Sequence, residues 1–88
     1  MRIVGYIDHP TLKITLFKMN NKLSVKFEHG PCEQTYKFRE GETVEGVNDL
    51  RQLIDAAFIA GVEKELRRME ALRGEAMGRL KREEEKDE

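Results

Sequence analysis

The apolar residues of this 88-residue chain change their period near residue 40, and that change limits what the chain can fold into. Before it, apolar and polar residues alternate, as on strands buried on one side. After it, the apolar residues recur every three to four positions, as on an amphipathic helix. The expected fold is therefore α+β: a four-stranded antiparallel β-meander followed by one long C-terminal α-helix packed on one sheet face. Residues 1–80 form that single domain, and 81–88 a charged tail without apolar residues, expected to be disordered.

Four runs fit strands: Arg2–Ile7, Thr11–Met19, Lys22–Glu28 and Cys32–Arg39. His9-Pro10 starts a turn because proline fixes φ and lacks an N–H. Asn20-Asn21 suits a two-residue hairpin, since asparagine tolerates the left-handed region such turns use. His29-Gly30-Pro31 supplies a third short link. Links this short join antiparallel neighbours, which makes a meander the simplest topology. Alternation places Ile3, Ile7, Leu12, Ile14, Leu16, Leu23, Val25, Phe27, Tyr36 and Phe38 on a core face. The opposite face collects Tyr6, Lys13, Thr15, Phe17, Lys26, Lys37 and Arg39 among its residues, a basic surface with two aromatics set into it.

After the linker Glu40–Gly46, Asn48 is the expected N-cap, and no proline interrupts the chain to about Leu80. Glu63/Arg67, Glu75/Arg79 and Lys81/Glu85 stand at i,i+4, while Gly61, Gly74 and Gly78 weaken the helix by roughly 1 kcal/mol each against alanine. A helix of this length spans about 48 Å at 1.5 Å per residue, whereas an eight-residue strand spans only about 27 Å. It must overrun the sheet. In a continuous helix, Leu50, Leu53, Ile54, Ala57 and Gly61 face the sheet, and a second stripe lies roughly 90° further round. That stripe, Val62, Leu66, Met69, Leu72, Ala76 and Leu80, is the expected interface of a homodimer; the alternative is a helix broken near Gly61 or Gly74 that folds back on its own domain.

The chemistry-bearing residues are few. Gly41 and Gly46 are not followed by the Lys-Ser/Thr of a phosphate loop, and no Ser-His-Asp arrangement is available with two histidines in turns. The expectation is a non-catalytic protein without cofactor. Cys32 is the sole cysteine, which excludes an intrachain disulfide and suits a reducing compartment. With no apolar run near the ~20 residues a membrane helix needs, and Arg2–Ile7 running straight into Asp8-His9-Pro10 without a signal-peptide pattern, the expected location is cytoplasmic and off the membrane. In a meander the first and third turns share one end of the sheet. That brings Asp8, His9, His29 and Cys32, all of metal-ligand type, to one edge. Histidines beside proline and glycine are also ordinary turn residues, and no bound metal is expected.

Net charge of -1 conceals an asymmetry: residues 1–39 carry seven cationic groups against three acids, the remainder nine against fourteen. A basic sheet with aromatic platforms fits single-stranded DNA or RNA, whose phosphates meet cations while bases stack. Tyr6 and Phe17 are the candidate platforms, and Lys13, Lys26, Lys37 and Arg39 the candidate phosphate contacts. Tyr36-Lys37-Phe38-Arg39 through Asn48-Asp49-Leu50-Arg51-Gln52-Leu53-Ile54 resembles the last strand and following helix of the positive-cofactor-four family of transcriptional coactivators, over residues 11–66. The resemblance implies a dimeric, single-strand-binding β4α domain; the chain departs from it in lacking tryptophan, in its longer helix and in a less basic sheet. The competing class is a structural or protein-interaction module acting through the long helix and the acidic tail.

Overall fold

The computed structural model describes residues 1–41 and 43–86, with side chains to 82. Four strands, β1 (Arg2–Ile7), β2 (Lys13–Met19), β3 (Lys22–His29) and β4 (Cys32–Arg39), precede two helices, α1 (Val47–Leu53) and α2 (Ala56–Lys86). The sheet is an antiparallel meander in the order β1-β2-β3-β4. Two of its hairpins are two-residue turns whose first residue is left-handed, Asn20 at φ 54° and Gly30 at φ 57°. Asparagine and glycine are the residues that adopt this region at least cost.

Both helices cover one face of the sheet. There Leu12, Ile14, Leu16, Leu23, Val25 and Phe27 meet Val44, Leu50, Ile54, Val62 and Leu66, all buried. Phe27 anchors an aromatic trio, stacked on Phe58 at 5.7 Å and edge-on to Tyr36 at 6.0 Å. The opposite face of the sheet is free of both helices.

Three expectations about the elements are corrected. The register shifts between Ile3 and Gly5, a bulge that turns Ile3 onto the open face opposite Phe17, while Val4 packs against the core. Gly5 lies where the Arg51 guanidinium passes to donate to the Tyr6 carbonyl, and a Cβ there would collide with it. Helix α1 starts after Gly46 rather than Asn48, and the Asp49 carboxylate accepts from the Glu45 amide at 3.0 Å. Finally, the C-terminal half is two helices. The backbone leaves the helical region at Ile54, and Asp55 caps α2 by accepting the Phe58 amide at 2.9 Å.

That break rotates everything after it. Ala57 and Gly61, expected on the sheet, are exposed. Val62 and Leu66, expected in a dimer interface, are instead buried in the protein's own core, with Met69 half-buried beside them. The apolar stripe of α2 is a single one. Leu80 lies about five turns beyond Val62 at 3.6 residues per turn, and so on the same side of the helix. The overrun is as expected: from Ala71 to Arg82 every described side chain except Gly78 is exposed, and the molecule measures 58 × 26 × 20 Å. Helix α2 continues through the segment expected to be a tail as far as Lys86, while 87 and 88 lie outside the described residues. The ion pair formed within α2 among the described side chains is Glu65–Arg68 at 3.2 Å, in place of Glu63/Arg67 and Glu75/Arg79; the Lys81/Glu85 pair falls outside them.

Asp55→Ala should lower the unfolding free energy by about 1 kcal/mol, the usual value of a lost N-cap, whereas Asp55→Asn should stay near wild type. Urea denaturation of the three proteins measures both.

Candidate nucleic-acid interface

The open face is built by strand alternation from all four strands. Across its middle run two rows of cross-strand neighbours: Tyr6, Thr15, Lys26 and Thr35, and beside them Ile3, Phe17, Ser24 and Lys37. Lys13 flanks the first row and Arg39, opposite Lys22, the second. All six candidate residues, Tyr6, Lys13, Phe17, Lys26, Lys37 and Arg39, thus share one face, on the side of the sheet away from α1 and α2.

Their environments differ. Tyr6 is 54% exposed and Phe17 half-buried, because the Lys26 ammonium sits over the Phe17 ring at 5.4 Å from its centroid. This cation–π contact holds Lys26 between the ring and the Glu28 carboxylate, which it meets at 3.3 Å. Lys13, Lys37 and Arg39 are exposed, and none of the three has an acid within salt-bridge distance among the described residues. Two residues of the face carry the opposite sign: Glu28 and Glu33 face each other across β3 and β4, next to Lys13. The basic surface is therefore centred on Lys26, Lys37 and Arg39, with an acidic corner at the turn end.

Ile3 belongs to this face and is 51% exposed. Strict alternation hides it, because a bulge leaves no mark in the apolar pattern. Thr15 is the other residue alternation does not foresee as special. It lies in the middle of the open face, yet only 2% of it is exposed, and its Oγ1 has no hydrogen-bond partner.

The turn cluster does not assemble. Among the described residues no three His, Cys, Asp or Glu side chains come together as a metal site. Each histidine has a place in the fold instead. His9 Nδ1 accepts from the amides of Thr11 and Leu12 at 3.2 and 3.1 Å, which leaves Nε2 toward Glu63 at 3.7 Å. His29 Nδ1 lies 2.7 Å from the Glu70 carboxylate. Both partners are acids of α2, so the histidines clasp the helix to the turn end instead of facing one another. Cys32 is buried against the core and Asp8 points to solvent. These acids were legible only as a charged helix face.

Of the expected dimer residues, Leu72, Ala76 and Leu80 are exposed on the overhanging part of α2, together with Met77, which the periodicity did not single out. No described helix is long and apolar enough to cross a membrane. Compared with known proteins, the chain finds no matching family model, curated protein or solved structure.

A buried hydroxyl without a partner costs its desolvation and returns nothing. Thr15→Val keeps the shape and removes the hydroxyl, so it should raise the unfolding free energy by about 1 kcal/mol. A fall in the urea midpoint of that variant would refute this account of Thr15.

Proposed function

We propose that this protein is a small, non-catalytic, homodimeric module of the cytoplasm that binds single-stranded nucleic acid on its open sheet face. The observation that carries the reading is the placement of Lys26, Lys37 and Arg39 around Phe17, with Tyr6 beside them, on one surface clear of both helices. Exposed cations supply phosphate contacts, and an exposed tyrosine next to a half-buried phenylalanine supplies surfaces on which bases stack. Such binding tolerates any sequence, because every base has a π-face. The resemblance to the positive-cofactor-four family points the same way.

One observation favours a second reading. Leu72 and Leu80, 65% and 61% exposed, stand on a stretch of helix with no other element beneath it. A surface of that kind suits a protein partner, and in this reading the helix is the functional part.

Titration with a labelled single strand separates the two. Phosphate binding loses affinity steeply between about 50 and 200 mM salt. Lys26→Glu with Lys37→Glu should abolish binding while leaving the circular dichroism spectrum unchanged, and Phe17→Ala should cost roughly 1–3 kcal/mol of binding. Absence of binding to DNA and RNA single strands at low salt would leave the helix-mediated reading.

A further inference from the structure

The two edges of the sheet are treated differently. At β1 a bulge bends the strand, and Arg51 occupies the Tyr6 carbonyl at 3.1 Å. Both devices hinder the addition of another strand. β4 has neither. Its eight residues contain no proline and pair with β3 without a register shift. The two-residue turn makes His29 and Cys32 a hydrogen-bonded pair, so Gln34, Tyr36 and Phe38 bond to β3. Glu33, Thr35, Lys37 and Arg39 then direct their N–H and C=O groups away from the sheet. All four are exposed, and among the described residues no backbone group outside the ladder bonds to them.

We infer that β4 pairs antiparallel with β4 of a second copy, about a two-fold axis at Tyr36, giving one continuous eight-stranded sheet. Charge, together with Pro31, selects the register. About Tyr36, Glu33 of each copy falls opposite Arg39 of the other, and Thr35 opposite Lys37, always between residues with free backbone groups. Centring the pair on Lys37 sets that lysine against itself, and centring it on Phe38 sets Lys37 against Arg39. Centring it on Thr35 also sets Glu33 against Lys37, but places Arg39 opposite Pro31, which has no N–H to give, and so loses ladder bonds at both ends. Opposite charges directly across a ladder stabilise it, and like charges do the reverse.

The helix side is compatible with the same axis. Tyr36, Ala57, Phe58, Gly61 and Val62, with Glu65, line a largely apolar groove along this edge, and nothing lies within 4 Å of a Cβ built on Gly61. The axis brings the two grooves together, and the small residues leave room for the neighbouring α2. On the other side it brings Lys37 of both copies to the centre of one surface, with a Glu33–Arg39 pair at each flank, and so joins the two faces assigned above to single strands. The pairing deepens that reading by giving its homodimer a geometry.

Sedimentation at micromolar concentration tests it. Wild type should be a dimer. Thr35→Pro removes an outward N–H while sparing the bonds to β3, and should sediment as a folded monomer. Glu33→Lys and Arg39→Glu should each raise the dimer dissociation constant roughly tenfold or more, since each dimer then holds two like-charged pairs. An equimolar mixture of those two variants restores opposite charges at both positions and should associate as wild type does. This mixing result decides the matter if Thr35→Pro fails to fold. A monomeric wild type, or a dimer indifferent to Glu33→Lys and Arg39→Glu, would overturn the pairing. Single-strand titration of the same samples keeps the two readings apart: a charge-sensitive dimer that binds no strand supports the edge pairing alone, and a strand-binding protein whose association ignores both charge changes overturns it alone.

Discussion

The bond from the Phe58 amide to the Asp55 carboxylate determines which residues of the C-terminal half meet the sheet. A short acidic side chain competes with the helix backbone for its own amides, and so is favoured at a start and disfavoured in an interior. By ending α1 and beginning α2 it changes the phase of the apolar stripe. Ala57 and Gly61 turn outward, Val62 and Leu66 turn in, and Phe58 comes to lie on Phe27. Core, edge groove and overhang all follow from that change. A continuous helix would have left Val62 and Leu66 exposed, and a flank without small residues beside β4.

The two faces of the sheet differ in what they carry. One face is closed by two helices and holds the large aliphatic residues. The other carries cations among Ile3, Tyr6 and Phe17, with Glu28 and Glu33 at one corner. A solvent-facing antiparallel sheet often carries lysine for solubility alone. What distinguishes this one is the company of its cations: Lys26 lies over a ring, and Lys37 and Arg39 stand beside it with no acid partner among the described residues. The bulge in β1 contributes by turning Ile3 to the same side.

Most of the architecture is legible in the sequence because it is locally encoded. Strand alternation, Asn20 and Gly30 in left-handed turns, and the long overrun can all be read within a few residues. The features that escape a linear reading are set by contacts across the fold. No local pattern marks the bulge at Ile3, which depends on how β1 meets β2. Asp55 could be recognised as a cap only against three helix-weakening glycines that look like better places to break. The histidines were visible, but their partners Glu63 and Glu70 stand 54 and 41 residues further along the chain. At the open face the six candidate residues were legible because a two-residue period fixes the side of the sheet. The burial of Thr15 and the seat of Lys26 over Phe17 were not, since they depend on cross-strand neighbours.

Helix α2 spans two regimes within one unbroken run of hydrogen bonds. Between Val62 and Glu70 its backbone cannot open without pulling Leu66 from the core and releasing two histidine clasps. Between Ala71 and Arg82 only the helix itself resists, and Gly74 and Gly78 each weaken it by about 1 kcal/mol relative to alanine. Amide hydrogen exchange along α2 should therefore form a gradient, slow where the sheet lies beneath it and fast beyond, although every residue is in the same helix. Covering the overhang with a partner would extend the slow region toward the C-terminus, so the exchange profile reads directly how far along the helix the protein is held.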